Sequence, residues 1–202
     1  MRPILTGESR YVTEPVEKVI LDAMDQFHNN TCVKFVPRTW ERDYVKLVKA
    51  RSDTGCKSFW GRYHGQQKII LDPSCFTVGA IAHELNHAVG FAHEQMRSDA
   101  LKYIRVDLTN LPERNVDARC GQKAMCPVNR KDFRVLGPDS SRLLGKFDYN
   151  SLMLYGSYEA SKDKSRPSAV GVHNQIFPRV RDKPGLSPGD IEKINLLYNC
   201  EN

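Results

Sequence analysis

The stretch His83-Glu84-Leu85-Asn86-His87-Ala88-Val89-Gly90-Phe91-Ala92-His93 constrains this chain more than any other. It reads H-E-x-x-H-x-x-G-x-x-H, the pattern in which a helix and its exit turn present three imidazoles to one zinc ion. Residues four apart share a helix face, so His83 and His87 can point at a single metal. Glu84 sits about 100° round from His83, off the ligand face yet within reach of a water at the metal. Gly90 marks the predicted helix end, because glycine enters the left-handed conformation of a C-terminal cap without steric cost. The chain then doubles back and brings His93 in from another direction. Three protein ligands leave a fourth position open, as in catalytic rather than structural zinc sites. A lone His-x-x-x-His on an apolar helix is commonly two packed imidazoles. Glutamate at the second place, glycine at the eighth and histidine at the eleventh make coincidence a poor explanation.

The chain has 202 residues, 40% of them hydrophobic, which suits one sizeable domain or two lobes around a cleft. No apolar run approaches the roughly 18 residues of a membrane helix, so no membrane span is expected. Met1 to Glu8 lack the continuous apolar core of a signal peptide, so a secreted protein would carry its signal and pro-segment outside this sequence. Cys32, Cys56, Cys75, Cys120, Cys126 and Cys200 form an even, dispersed set with no C-x-x-C pair. Such a set favours disulfides and a secreted protein over a thiolate metal cluster, the alternative being reduced thiols in a cytosolic chain. Asn29-Asn30-Thr31 is a glycosylation sequon. The net charge is +6, carried by basic residues scattered from Lys46, Lys49, Arg51 and Lys57 to Arg179, Arg181 and Lys183. No finger or aromatic-basic RNA motif accompanies them, so no nucleic-acid partner is expected. The charge reads as a solvated surface, with attraction to acidic matrix or substrates as a secondary meaning.

Along the chain, Val16, Val19, Ile20, Ala23, Met24 and Phe27 predict a helix from Pro15, with Glu14 and Glu17 at its positive end. Val33-Lys34-Phe35-Val36 reads as a short strand stopped by Pro37. Tyr44-Val45-Lys46-Leu47-Val48 alternates as a half-buried strand, and Gln67-Lys68-Ile69-Ile70-Leu71 reads as another, stopped by Asp72-Pro73. A helix from about Thr77 to Val89 carries the first two histidines. Residues 94 to 185 are rich in Pro, Gly, Asp and Ser and should be mostly loops. Ser187-Pro188-Gly189-Asp190 signals a last helix, with Ser187 as N-cap and Pro188 in its first turn.

The run from His83 to Asp99, HELNHAVGFAHEQMRSD, resembles the signature of the astacin family of metzincin zinc metalloendopeptidases. Thr31 to Arg38 resembles the family's early strand, Phe147 to Gly156 its Met-turn, and Leu186 to Cys200 its C-terminal helix. The resemblance runs from about residue 15 to the end. It implies His83, His87 and His93 as ligands of one catalytic Zn2+ and Glu84 as general base on the zinc-bound water. It implies Met153 as packing beneath the site and Tyr155 as the catalytic tyrosine that supports the transition state. Glu94 matches the residue that anchors a mature N-terminus, although the family's tryptophan and Ile-Pro-Tyr strand near that end are missing here. Leu154 stands where the family usually has histidine, and Ala100-Leu101 replaces a common Arg-Asp pair. The family pairs Cys32 with Cys200, tying the lobes together, and Cys56 with Cys75, which leaves Cys120 and Cys126 to bridge each other. It also lays an extended peptide along an edge strand, which Gln66 to Leu71 resembles.

The reading implied is an α+β, metzincin-like, two-lobed zinc protease fold forming one catalytic domain over residues 1–202. The N-terminal lobe, about 1–93, would hold a twisted mostly parallel sheet and two long helices. The C-terminal lobe, about 94–202, would be largely irregular with one terminal helix. The expected function is that of a secreted, monomeric endopeptidase hydrolysing internal bonds of protein or peptide substrates in extended conformation. A catalytically silent zinc-containing binding or toxin-like module is the alternative, and it would require damage to Glu84 or to the ligands that the sequence does not show.

Overall fold

The structure is a computed structural model describing residues 14–50, 55–112, 132–137 and 139–201. The described residues fall into two compact units, one running through Phe91 and resuming at Arg181, the other spanning Ala92–Val180.

In the first unit, helix α1 (Glu14–His28) buries Ile20, Ala23, Met24 and Phe27, the three-and-four spacing of a single face. Phe27 meets Phe35 edge-on at 5.1 Å. The strand expected at 33–36 is not formed. Val33 and Phe35 are buried as an alternating pattern requires, but the Phe35 N–H donates to His28 Nε2 at 2.8 Å rather than to a neighbouring strand. Strands β1 (Tyr44–Lys49) and β2 (Gln66–Leu71) pair in parallel, Tyr44 beside Gln66 through Lys49 beside Leu71. The expected parallel sheet is thus present as two described strands.

On its other side β2 is met at Ile70 by Lys57, in an antiparallel bridge with hydrogen bonds of 3.0 and 2.9 Å. Gln66–Leu71 is therefore not the open edge suggested by its sequence, since the segment held by the Cys56–Cys75 disulfide lies outside it at that point. The segment is brought there by a covalent link, which strand patterning alone does not reveal.

Helix α2 (Val78–Val89) follows, then, after the second unit, helix α3 (Pro188–Tyr198). Ser187 and Asp190 form a reciprocal capping box at the start of α3, with Pro188 in the first turn, as its sequence predicts. Tyr198 Oη donates to the Val89 carbonyl at 2.7 Å, fastening α3 to the end of α2. A single division near residue 93 would place this helix in the later lobe. The structure instead returns Arg181 onward to the first unit, so the Cys32–Cys200 bridge closes within that unit and does not tie two lobes. The expected Cys120–Cys126 pairing lies outside the described residues.

The second unit is built of short pieces, as its composition predicts. Strands β3 (Ile104–Val106) and β4 (Ala169–Gly171) pair antiparallel over three residues each. Ala100, Ile104, Phe147, Leu154 and Phe177 form a small core. Tyr103 stacks on Phe147 at 4.7 Å beside it. Much of the remaining order comes from side chains bonded to backbone. Asn110, 1% exposed, donates to the carbonyls of Asp163 and Arg166 and accepts from the Asp163 N–H.

Candidate metal centre

Helix α2 is capped by Thr77, whose hydroxyl accepts the Ala80 N–H at 3.2 Å. From Gly79 to Val89 every residue is buried. An apolar helix in that position carries polar side chains only where they have work to do. His83 and His87, one turn apart, place their rings 4.6 Å from each other at 81°. The helix stops at Gly90, whose φ of 124° is unfavourable for residues bearing a Cβ and whose N–H reaches the Asn86 and His87 carbonyls. Phe91 then turns its carbonyl back onto His87 Nδ1 at 2.7 Å. A carbonyl only accepts, so Nδ1 carries the proton and Nε2 is left with its lone pair. Burial pushes the His87 pKa down to about 4, so the ring is neutral at pH 7.

His93 enters extended, just before a tight turn over Glu94–Met96. One ligating atom from each of His83, His87 and His93 lies within 4.8 Å of the others, and all three residues are buried. Three buried imidazole donors without thiolates suit a borderline cation such as zinc. Glu84, 7% exposed, has an Oε2 that accepts no hydrogen bond among the described residues, and burial raises its pKa to about 8. A buried carboxyl oxygen without a partner among the described residues, on the residue following His83, fits a site completed by a cation and water. The three histidines are positioned to bind one zinc ion.

Met153 is buried, its N–H donating to Ser151 Oγ at 3.0 Å and its carbonyl accepting the Glu94 N–H at 2.8 Å. Tyr155 lays its ring 4.4 Å from that of His93. Glu94, buried, accepts the Asp148 N–H on Oε1 at 2.9 Å and lies 3.7 Å from Arg97 Nη1. The N-terminus implied as its partner lies outside the described residues. Leu154, 1% exposed, fills the small core as an apolar side chain should. Ala100 is fully buried in the same core, and Arg97 keeps a two-pronged pair with Asp99 at 2.9 and 3.0 Å.

Sequence reasoning missed Gln95 and Trp60. Gln95, 1% exposed, accepts the Tyr155 N–H at 3.1 Å and donates to the Asp132 carbonyl at the same distance. Trp60 places its ring 6.2 Å from that of His87, and the next residue, Gly61, donates its N–H to the His87 carbonyl at 2.8 Å. A glutamine two residues past a ligand was a readable signal. The Trp60 contact was not, because it spans 27 positions with no shared pattern.

A helix bearing two histidines and a glutamate, a glycine stop and a third histidine in the exit turn define a zinc-peptidase type of centre. Comparison makes the assignment specific. The sequence profile of the Astacin peptidase family matches residues 8–199, and the chain belongs to that family. It is 37% identical over 179 residues to high choriolytic enzyme 1 of Oryzias latipes, a match covering 88% of this chain and 59% of that protein. With astacin-like metalloprotease toxin 1 of Loxosceles intermedia it shares 35% identity over 203 residues, covering 96% of this chain and 70% of the toxin. The chain thus spans about three fifths of the length of the hatching-enzyme relatives it matches. Among solved structures, high choriolytic enzyme 1, a hatching enzyme zinc-protease from Oryzias latipes, superposes with a TM-score of 0.81. That match has 34% identity and covers 98% of this chain and 90% of the other. The α+β, metzincin-type fold expected from the sequence agrees with this likeness.

Proposed function

We propose that this chain is the catalytic domain of a secreted zinc-dependent endopeptidase that cleaves internal bonds of protein substrates. The observation that carries the reading is the buried trio His83, His87 and His93 beside Glu84, whose Oε2 has no partner among the described residues. The three histidines would hold the ion. When bound, zinc acidifies a water and polarises the scissile carbonyl. Glu84 is the general base: its carboxylate takes the proton from the attacking water and returns it to the leaving amine. Its Oε2 has no hydrogen-bond partner among the described residues, which leaves a lone pair for the proton of the attacking water. Tyr155, beside His93, donates its phenolic hydrogen bond to the negative charge developing on the carbonyl oxygen.

Secretion is supported by the two disulfides among the described residues and by relatives named as a hatching enzyme and a toxin. Extended protein substrates follow from the family, and the domain acts as a monomer in this reading.

The decisive experiment compares wild type with Glu84→Gln on a generic protein substrate, with zinc content measured in both. Wild-type cleavage should stop on chelation and return with zinc. Glu84→Gln should keep its zinc and lose about 10²- to 10⁴-fold in rate, the range of general base catalysis. If both proteins hold zinc and are equally inactive, the chain is a zinc-containing binding module instead.

A further inference from the structure

The lysines that look scattered in the sequence gather on β1 and β2. Side chains alternate across a strand, and the register places Tyr44 beside Gln66, Lys46 beside Lys68 and Val48 beside Ile70 on one face. The other face carries Val45, Ile69 and Leu71, each at most 2% exposed, so the lysine face is the outer one. Lys57, exposed, stands opposite Ile70 in the antiparallel bridge and adds its side chain to the same face. At the other end the guanidinium of Arg38 covers the ring of Tyr44 at 3.9 Å. Four cations therefore line a stripe of roughly 13 Å, at about 3.3 Å of rise per residue.

Like charges side by side on neighbouring strands destabilise a sheet. Among the described residues no carboxylate offsets them, since none of the ion pairs involves Arg38, Lys46, Lys57 or Lys68. The acids that precede β1 are engaged elsewhere. Asp43 is held by Arg62 and the Gly65 N–H, and the Glu41 carboxylate accepts the Thr39 N–H.

We propose that this face binds a sulfated polysaccharide. The ladder between β1 and β2 occupies main-chain groups that a peptide would need for strand addition, so the face offers charge and methylene stems rather than directional hydrogen bonds. Tyr44 is the only aromatic residue in these two strands, and Arg38 covers it, so the strand face itself presents no open ring for base stacking; the exposed aromatics Trp40, Phe59, Trp60 and Tyr63 lie in the flanking segments. A row of lysine point charges on flexible stems matches a polymer with repeated anionic groups. The disulfides suit an oxidising compartment, where such a polymer is a glycan.

The test uses the full chain with heparin as the probe, measured by titration at several salt concentrations. K46Q/K57Q/K68Q is compared with K102Q/K146Q/K162Q, which removes the same charge from lysines elsewhere. The face variant should lose about tenfold or more in affinity, and its salt slope should fall by about three, one per lysine. The control should stay within about threefold of wild type. Equal losses in both variants, or an unchanged face variant, would overturn the proposal. Poly-glutamate bound as tightly as heparin, with the same dependence on the three lysines, would reassign the face to acidic polypeptides and overturn it equally. Single K57Q and K68Q variants, each expected to lose about two- to threefold, keep the question answerable if the triple variant is destabilised.

Discussion

In the first unit, α1 buries one face at helical spacing, α2 is apolar and buried along almost its whole length, and disulfides close the long-range connections. In the second, Asn110 and Ser157 hold loops together by bonding main-chain groups far along the chain. Ser157, fully buried, accepts the Phe177 N–H on its hydroxyl and the Ser168 N–H on its carbonyl. One region therefore takes its order from a repeating pattern and the other from a few unique polar contacts. A repeating pattern tolerates the loss of one member, because neighbours bury the same face. A unique contact has no substitute, and its loss strands buried donors and acceptors.

The comparison can be broken most severely at Cys32–Cys200. This bridge closes a loop of 168 residues, and replacing both cysteines with serine should cost about 5 kcal/mol by chain entropy, visible as a large drop in melting temperature. Removing Cys56–Cys75, with its separation of 19, should cost about 3 kcal/mol in the same assay. If the two losses were equal, chain entropy would not be what the bridges contribute.

A smaller effect is expected at Asn110. Asn110→Ala leaves the Asp163 N–H and two carbonyls without their partner and should destabilise by about 2–3 kcal/mol in denaturant unfolding. A loss no larger than that of an exposed polar residue would contradict the account of the second unit. Smaller again in stability, but sharp in activity, is Gln95→Leu. It frees the Tyr155 backbone while leaving every ligand in place, so zinc content should be unchanged and kcat should fall by about tenfold or more. Gln95→Glu keeps the acceptor for Tyr155 but faces the Asp132 carbonyl with an acceptor, and should fall between.

The smallest effect lies at Asp43. The Gly65 N–H, first, and the Arg62 side chain hold its carboxyl down to about 2, against an ordinary 3.8. Its folded pKa is depressed, so its contribution is complete above about pH 4 and is lost as pH falls toward 2. Carboxyl chemical shifts should titrate there, and Asp43→Asn should flatten the acid limb of the stability profile in that window.

What was readable in the sequence was local. The ligand spacing of His83 and His87, the stop at Gly90 and the cap at Ser187 each depend on residues within a turn of one another. The misread features depend on distant partners. Val33 to Val36 has the same alternation whether its N–H groups meet a strand or, as for Phe35, the ring of His28. The flank of β2 was hidden because the segment that covers it at Ile70 is carried there beside a disulfide. The place of α3 in the first unit was hidden because its contact with Val89 spans 109 residues. Gln95 and Tyr155, 60 residues apart, meet only once the second unit has folded.

The end of α2 also has a chemical meaning. Gly90 ends the helix, and the turn it permits points the Phe91 carbonyl at His87 Nδ1. The choice of which ring nitrogen keeps its proton, and so which one faces a cation, is thereby written into the backbone. A residue with no side chain sets the tautomer of a ligand, so this helix terminus acts as part of the coordination chemistry.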